Sequence, residues 1–461
     1  MFAYQGRLND RLTSIDAMLD VFSPSATVQR MLDVEAALAH ALAAAGVIPS
    51  DAVAPIEAAC QAEQLDADAL TAAAARAGNL AIPLVKQLTA RVAEQAPEAA
   101  KYVHWGATSQ DIIDSGMVLQ LRDTLDLIDA QVDTLCAALA RQAEAHRDTP
   151  VIGRTWLQQA LPMTLGLKFA QWLDALERHR VRLTQLRERA LALQFGGAAG
   201  TLASLGNAAP AVAQALSQAL ALPLPSVPWH TQRDRIAEAA TVLGLLTGTL
   251  GKIARDVSLQ MQTEIGELAE PATSGKGGSS TMPHKRNPVG CAAALTASVR
   301  VPSLVATMLA AMVQEHERAL GGWQAEWETM PEIARLCAGA LANVTEVVDG
   351  LSVDRQRLQA NLGLTRGLIF GEAVMLALGA SLGRLQAHEL VEHASREAVQ
   401  SGRTLRDVLG EMPDVMRVLD GDDRRLDALF DSASYSGQAR NFVDAVLERY
   451  RAARARSSLP E

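Results

Sequence analysis

Residues 235–268 form a long stretch without proline, bounded by Pro228 and Pro271, in which apolar residues recur every three or four positions. The recurring residues are Leu243, Leu246, Leu250, Ile253, Val257, Met261, Ile265 and Leu268. This spacing places apolar side chains on one face of an α-helix, and it is the period of a seam between packed helices. The stretch therefore predicts one long helix of a helical bundle.

Similar helical patterns cover much of the chain, at residues 28–45, 115–148, 158–194, 289–325 and 332–349. Residues 115–148 contain no proline and predict a helix of about 50 Å. Residues 158–194 carry Pro162 in their first turns and end at Gly196. No run of alternating apolar and polar residues is long enough to predict a strand. We therefore predict an all-α fold.

The length of 461 residues is enough for two or three domains and a large buried core. We predict an N-terminal helical domain at residues 1–110, a central long-helix bundle at residues 111–350 and a C-terminal helical domain at residues 351–461. Helices of this length expose more apolar surface than one short bundle covers. We therefore expect other copies of the chain to complete the bundle.

The composition argues against several classes of partner. A net charge of −10 and an isoelectric point near 5.5 leave no electrostatic footprint for nucleic acid or an anionic membrane. Cys60, Cys136, Cys291 and Cys337 form no Cys-x-x-Cys pair, which argues against a zinc site and against a disulfide framework. The first ten residues lack the apolar segment of a signal peptide, and glycines and prolines interrupt the least charged stretch. We expect a cytoplasmic protein that binds no metal and no membrane.

Residues 274–288 combine a flexible half with a stiff, basic half. Three glycines and two serines give the first half closely spaced N–H groups that could grip an anion. Pro283 and Pro288 then restrict the backbone around Lys285, Arg286 and Asn287. Composition alone favours a solvated basic turn over a substrate lid. The order of the residues has to decide between them.

A helix N-terminus is predicted at Thr108 and Ser109, because they precede Asp111 in the pattern of an N-cap followed by an acidic first turn. The free N–H groups at such an end, together with the two hydroxyls, can bind a carboxylate. The segment is therefore a candidate substrate contact as well as a structural cap.

The order of residues in the loop resembles a known signature. Residues 278–288, Gly-Ser-Ser-Thr-Met-Pro-His-Lys-Arg-Asn-Pro, resemble the signature loop of the fumarase/aspartase superfamily, and residues 104–111 and 153–158 match the same superfamily. The resemblance implies homotetramers whose long central helices form a shared core and whose active sites draw on three subunits. It also implies removal of a proton α to a carboxylate, without metal or cofactor.

The resemblance implies roles for individual residues. Ser279 matches the general base. The alternative is that Ser280 is the base and Ser279 only caps the backbone. Lys285 and Asn287 match the carboxylate-binding pair. Further substrate contacts are implied at His104, Thr108, Ser109, Thr155, Trp156, Gln158, Ser280 and Met282. A proton taken next to a carboxylate leaves a dianionic enediolate. That charge needs fixed donors and a cation in a site closed to water.

Two departures from the adenylosuccinate lyases of this superfamily indicate the substrate. Those enzymes carry a general-acid histidine where this chain has Trp156, and the partner carboxylate of that histidine where this chain has Ala292. A departing amine needs a proton, a contribution of about 10²–10⁴ in rate, whereas a carboxylate with a pKa near ~4 departs as a stable anion. We therefore expect the leaving group to be a lactone oxygen, with Trp156 as an apolar wall.

Two blocks resemble one branch of the superfamily, the bacterial 3-carboxy-cis,cis-muconate cycloisomerases. They read Val-His-Trp-Gly-Ala-Thr-Ser-Gln-Asp at residues 103–111 and Gly-Arg-Thr-Trp-Leu-Gln-Gln-Ala at residues 153–160. The resemblance implies interconversion of 3-carboxy-cis,cis-muconate and 4-carboxymuconolactone, in the protocatechuate branch of the β-ketoadipate pathway. The alternatives are a fumarate-releasing lyase of the adenylosuccinate lyase type and an inactive structural relative, like the eye-lens crystallins of this superfamily.

Such a tricarboxylate substrate needs positive partners besides Lys285. The candidates are Lys276, Arg154 and Arg233, with Arg235 less favoured. For each arginine the alternative is a salt bridge on a helix surface.

Overall fold

A computed structural model of the chain describes residues 9–272 and 275–457. Ser274, the first residue of the predicted loop, lies outside the described residues, as do most of the N-terminal segment and the outer ends of the first and third predicted domains. The described part is predominantly α-helical, which confirms the predicted fold class.

The α-helices are α1 (Asp10–Thr13), α2 (Asp16–Val21), α3 (Pro24–Ala44), α4 (Val53–Ala59), α5 (Ala67–Ala77), α6 (Ala81–Gln95), α7 (Pro97–Ala100), α8 (Ser109–Ala145), α9 (Leu165–Ala190), α10 (Ala209–Leu220), α11 (Asp234–Gln260), α12 (Val289–Ala310), α13 (Gly322–Asp349), α14 (Arg355–Gly363), α15 (Gly371–Leu382), α16 (Arg384–Ser401), α17 (Leu405–Gly410), α18 (Pro413–Val418), α19 (Asp423–Ala428) and α20 (Ala439–Ser457). The strands are β1 (Pro150–Thr155), β2 (Gln158–Thr164), β3 (Leu268–Ala269) and β4 (Ser352–Val353). Short 3-10 turns occupy Ser50–Ala52, Ala62–Gln64, Ala203–Ala208 and Leu368–Phe370.

Two long helices lie where the apolar periodicity predicts them. α8 has 37 residues and α11 has 27. On α11, Leu243, Leu246 and Leu250 are each 0% exposed, so the predicted apolar seam is the buried face. The end of α11 was predicted too late, since Leu268 belongs to β3 and pairs with Val353 of β4.

The structure confirms most of the helix predicted at residues 158–194, as α9, but contradicts its first turns and the prediction that the chain has no strand. β1 and β2 form an antiparallel hairpin, and α9 begins after it at Leu165. Pro162 pairs with Ile152 across the hairpin instead of opening a helix. Proline cannot donate a ladder hydrogen bond, but a strand with a free edge tolerates it. Pairing with residues 150–155 thus overrides the helical pattern here.

The boundary between α12 and α13 also differs from the prediction. α12 ends at Ala310 and α13 begins at Gly322, whereas the sequence predicted helices at residues 289–325 and 332–349. The intervening turn closes at Gly321, whose φ of +95° suits glycine. Pro331 lies inside α13, so this proline does not mark the start of a helix.

The chain divides into two compact units, each built from several segments. The first comprises Met1–Asp133, Arg178–Lys252 and Ala292–Asn343, and the second comprises Thr134–Glu177, Ile253–Cys291 and Val344–Glu461. This division does not test the three predicted domains, which stay a prediction.

In the first unit, α3 packs against α10 and against α4. α3 begins at Pro24, four residues before the predicted start at residue 28, because Ser23 Oγ caps it by accepting the N–H of Ala26 (3.2 Å) and Pro24 occupies the first turn. In the second unit, α15 and α17 pack against α16. Their shared core includes Val374 and Leu409, both 0% exposed.

Candidate active site

Asp111 holds the start of α8 in place within the first unit. Its Oδ1 accepts a hydrogen bond from Gly196 N (2.9 Å) and lies 2.7 Å from His230 Nε2. Its Oδ2 accepts from Thr108 N (3.0 Å) and Gly197 N (2.9 Å). Asp111 is 1% exposed, and several donors compensate the burial of its charge. The carboxylate thereby fixes Thr108 relative to the Gly196–Gly197 turn.

The Thr108 hydroxyl faces a cation. Arg318 Nη1 donates to Thr108 Oγ1 (2.9 Å), and its Nη2 donates to the carbonyls of Ala198 (3.0 Å) and Gly197 (3.5 Å). Ser109 follows as the first residue of α8 and is half-buried. The start of α8 therefore combines N–H groups, hydroxyls and one guanidinium, which together suit a carboxylate.

His104 lies just before this helix start and contacts a buried acid. Its Nδ1 is 2.6 Å from Glu35 Oε1 on α3. Burial lowers the pKa of His104, but the charge and hydrogen bond of Glu35, together with the charge of Asp111, more than offset this, so the pKa lies above its usual value. The pair favours a protonated His104.

Arg233 lies in a buried ion cluster of the first unit. Its guanidinium donates to Asp114 Oδ2 (2.7 Å) and Glu326 Oε1 (2.9 Å) and stacks 4.8 Å from the Trp229 ring centroid. Trp323 Nε1 also donates to Asp114 Oδ1 (2.9 Å). Arg233 is 1% exposed, and the two carboxylates raise its pKa against the effect of burial. This geometry favours a structural ion cluster over contact with a substrate, although the cluster is buried rather than on a helix surface.

The loop that carries Ser279 lies in the second unit. Ser279 Oγ accepts the backbone N–H of Met282 (3.1 Å) and of Thr281 (3.4 Å). Asn287 closes the loop, because its N–H donates to Gly277 O (2.8 Å) and its Nδ2 to Gly278 O (3.3 Å). Hydrogen bonds between the loop backbone and the side chains of Ser279 and Asn287 thus gather the predicted catalytic loop residues into one turn.

The side chains of this loop are mostly exposed. Ser280, Met282 and Lys285 are exposed, while Ser279 and Asn287 are half-buried. Gly277 makes the turn possible, since its φ is +74° and a Cβ there would lie 2.7 Å from the carbonyl oxygen of Asn287.

Glu270 joins the two ends of the loop. It lies just before the loop, and its Oε2 and Oε1 accept the N–H groups of Gly290 (3.1 Å) and Cys291 (2.7 Å) at the start of α12. A carboxylate at a helix N-terminus is favoured by the helix dipole. The start of α12 is therefore held beside the residue that follows β3 and precedes the loop.

Lys276 and Arg154 both have carboxylate partners within the second unit. Lys276 Nζ lies 2.6 Å from Glu346 Oε2. Arg154 makes a two-pronged contact with Glu267, Nη1 to Oε2 at 2.9 Å and Nη2 to Oε1 at 2.6 Å, and Asn361 Nδ2 donates to the same Oε1 (2.8 Å). Because the Glu267 side chain is 0% exposed, the contact fixes β1 and leaves the charge of Arg154 largely compensated.

The tip of the β1–β2 hairpin presents apolar side chains. Trp156 is 95% exposed and Leu157 is 83% exposed, and both have positive φ, +51° and +63°. Thr155 and Gln158 pair with each other at the base of this tip. A left-handed backbone conformation costs about 1–3 kcal/mol at each residue other than glycine. The conformational preferences of Trp156 and Leu157 therefore do not explain the shape of this tip.

Comparison with known proteins agrees with these features. A family model described as "Lyase" matches residues 10–303, and one described as "Adenylosuccinate lyase C-terminus" matches residues 367–446. The 3-carboxy-cis,cis-muconate cycloisomerase of Pseudomonas aeruginosa is 58% identical over 435 residues, covering 94% of each chain. That of Pseudomonas putida is 55% identical over 417 residues, covering 90% of this chain and 99% of the relative.

A solved structure, the 3-carboxy-cis,cis-muconate lactonizing enzyme from Pseudomonas putida, superposes with a TM-score of 0.92 at 53% identity, covering 97% of this chain and 99% of that one. The chain belongs to the fumarase/aspartase superfamily. Its matches extend over nearly the whole length of both proteins, so the family assignment rests on more than one domain of the chain.

The predicted superfamily site residues fall into two groups, each described within its own unit. His104, Thr108 and Ser109 share the start of α8 in the first unit. The second unit holds the hairpin residues Arg154, Thr155, Trp156 and Gln158 and the loop residues Lys276, Ser279, Ser280, Met282, Lys285 and Asn287. The roles of these residues stay predictions.

Sequence reasoning missed two residues that the structure brings to the helix start, Arg318 and Glu35. Arg318 is 210 positions from Thr108, and Glu35 is 69 positions from His104. Glu35 carries one signal in hindsight. It is an acid surrounded by apolar neighbours on an otherwise buried face of α3, where an unpaired charge would be costly.

Proposed function

We propose that this chain interconverts 3-carboxy-cis,cis-muconate and 4-carboxymuconolactone, in the protocatechuate branch of the β-ketoadipate pathway. The supporting observation is its 58% identity to the Pseudomonas aeruginosa cycloisomerase over 94% of both chains. That relative favours a cycloisomerase over a fumarate-releasing lyase. The intact loop with Ser279, Lys285 and Asn287 argues against an inactive structural relative.

In the proposed reaction Ser279 moves the proton. In the lactonising direction, a carboxylate oxygen of the muconate forms a C–O bond to its own double bond, and Ser279 Oγ delivers a proton to the carbon α to another carboxylate. Solvent then returns a proton to Ser279, so one proton and one carboxylate charge are consumed. The N–H groups of Met282 and Thr281, at 3.1 and 3.4 Å from Oγ, support the serine alkoxide that forms in between.

The proposed substrate carries three carboxylates, and the candidate partners are distributed over both groups of residues. Lys285 and Asn287 would bind the carboxylate at which enediolate charge develops. His104, Thr108 and Ser109 would bind another, and the guanidinium of Arg318 supports that assignment through its contact with Thr108 Oγ1. No step requires a metal or cofactor, because the chemistry moves one proton and one C–O bond.

The leaving-group argument predicts the effect of restoring the acid pair of adenylosuccinate lyases. In the double variant Trp156→His with Ala292→Glu, we expect kcat/KM for the lactone interconversion to stay the same or fall, since a departing carboxylate needs no proton. Both positions are exposed in the single chain, so folding should tolerate the changes.

Kinetics in both directions measure the result. Trp156→Phe is the matched control, because it keeps the apolar wall, and we expect it to retain activity within a few-fold. A gain of about a hundredfold or more in the double variant, the lower end of what proton donation contributes, would refute the leaving-group argument.

The activity itself is tested by incubating purified protein with 3-carboxy-cis,cis-muconate and following the loss of diene absorbance. Turnover is expected with this compound and not with adenylosuccinate. Cleavage of adenylosuccinate in preference would support the lyase alternative, and turnover of neither would support an inactive relative.

We also propose a cytoplasmic homotetramer, with the three-domain division predicted above and active sites drawn from three subunits. Two apolar surfaces support the assembly. The hairpin tip exposes Trp156 and Leu157. In addition, α12 is as long and apolar as a membrane-spanning helix. Only 28% of its most apolar window is buried within the chain, so much of its apolar surface is uncovered. Partner copies would cover both surfaces, and sedimentation should give four times the 49.0 kDa of one chain.

A further inference from the structure

Glu35 is a carboxylate on a helix face that is otherwise apolar. It is 2% exposed and lies on α3 beside Val34 (1% exposed) and Leu38 (1% exposed). Its hydrogen-bond partner is His104 Nδ1, at 2.6 Å. Burial of a carboxylate costs several kcal/mol unless a partner compensates it. Packing at position 35 would favour an apolar residue, but the chain has a glutamate there whose carboxylate contacts His104.

His104 is held in an unusual backbone conformation by its surroundings. Its φ is +58°, and Gly106, two residues later, has φ +77°. These residues form the turn that leads the chain into α8 at Ser109. With Nδ1 taken by Glu35, the ring offers Nε2 as its second donor. The His104 side chain keeps 19% of its surface exposed, whereas that of Glu35 keeps 1%.

The two charges that act on the pKa of His104 are both negative. Glu35 reaches it from α3, and Asp111 acts on it from the first turn of α8. Asp111 is already bound by the N–H groups of Thr108, Gly196 and Gly197 and by His230, so Glu35 is the direct partner. Near Glu35, the Cys60 thiol stays protonated, because burial and then the charge of Glu35 raise its pKa well above the usual value.

We propose that Glu35 is a positioning residue that keeps His104 a cation and directs its Nε2–H toward a carboxylate of the substrate. This rests on the proposed function, in which His104 contacts a tricarboxylate. In a neutral histidine whose Nδ1–H donates to Glu35, Nε2 carries no proton and cannot donate to a carboxylate, whereas the cation donates from both nitrogens in charge-assisted hydrogen bonds. Glu35 thus acts on substrate binding from a place that the substrate never reaches.

The variant Glu35→Gln tests this directly. Glutamine keeps the volume and can still accept a hydrogen bond from Nδ1, but it carries no charge. At pH 8 we expect KM to rise about tenfold to a hundredfold, with kcat within about threefold, because the lost charge affects ground-state binding. Without the Glu35 charge, burial favours the neutral form of His104 and so lowers its pKa. The difference in KM should therefore shrink only as pH falls well below about 6.5, the ordinary histidine pKa.

The matched control is Glu57→Gln. Glu57 Oε2 pairs with His40 Nε2 at 3.2 Å, with side chains 58% and 50% exposed, so it is a second His–Glu pair without burial. Its KM and pH profile should match the wild type. An equal rise in KM at every pH for Glu35→Gln would indicate a purely structural role and overturn the proposal.

A double variant distinguishes the proposed role of Glu35 from a general loss of folding. If Glu35 acts through His104, KM should be no worse in the double variant Glu35→Gln with His104→Gln than in His104→Gln alone, because the two effects share one interaction. Additive losses would overturn the proposal.

The charge of His104 can also be read without turnover. In protein labelled with ¹³C at histidine Cε1, with the signal assigned from His104→Gln, the titration midpoint of His104 should lie above about 6.5, the ordinary value. It should fall in Glu35→Gln. If the midpoint falls in Glu35→Gln but the wild-type protein turns over no muconate, the proposed substrate is wrong, while the effect of Glu35 on His104 still holds. If turnover occurs and the midpoint does not fall, the role of Glu35 is refuted.

Discussion

Replacing Ser279 with alanine should lower kcat by about 10⁴-fold, the upper end for the loss of a general acid or base, while substrate binding changes by no more than a few-fold. The reason is that the hydroxyl is proposed to move the proton but not to anchor the substrate. Two N–H groups directed at Oγ, from Met282 and Thr281, would then have no oxyanion to stabilise. Diene absorbance gives kcat, and calorimetric titration of the inactive variant gives the binding constant.

Ser280→Ala is the matched control, because Ser280 is the adjacent hydroxyl in the same loop and the alternative base. We expect it to keep kcat within about tenfold, since a positioning hydroxyl contributes about 0.5–1.5 kcal/mol. If Ser280→Ala removes turnover and Ser279→Ala does not, the Ser279 hydroxyl is a cap for the backbone of residues 281–282 and the assignment is reversed.

Replacing Arg233 with methionine should lower the free energy of unfolding by about 3–5 kcal/mol, the usual cost of removing one partner from a buried ion cluster. Asp114 and Glu326, whose side chains are 0% and 1% exposed, would remain without their cation. Methionine fills much of the space of the arginine stem, so the loss reflects charge more than volume. Urea unfolding at a fixed protein concentration measures the change, because assembly makes stability depend on concentration.

Arg235→Met is the matched control, two residues later in the same segment. Arg235 is half-buried and donates to the carbonyl of Arg189 without a carboxylate partner in that contact, so its loss should cost no more than about 1 kcal/mol. A stable Arg233→Met protein whose KM for the tricarboxylate rises sharply would instead return Arg233 to the substrate site.

The helical part of the fold could be predicted because its information is local. The seam of α11 is visible as apolar residues in steps of three and four, and the same residues are buried. The β1–β2 hairpin could not be predicted in the same way. Its strands are short, Pro162 suggested a helix start, and the structure depends on pairing between residues 150–155 and 158–164. The break after Ala310 was missed because the residues that follow it continue a helical pattern.

The candidate site was also predictable where its residues are close in sequence and not where they are distant. The loop around Ser279 and the helix start at Thr108 are contiguous in sequence, so their residue order could be interpreted directly. The partners that fix them are distant in sequence. Arg233 is 119 positions from Asp114 and 93 from Glu326, and Arg318 lies in the turn between α12 and α13. Such pairs become visible when the fold brings the elements together.

The contact of Glu270 with Gly290 and Cys291 has a consequence for how this scaffold can diversify. Since Glu270 precedes the loop and its carboxylate binds the two N–H groups that follow it, changes of residue or length inside the loop need not disturb the start of α12. The predicted catalytic segment can therefore vary at positions other than Ser279, Lys285 and Asn287 while its two ends stay in place. New substrates can be explored there at little cost to the helices that carry it, provided that the acid at position 270 is retained.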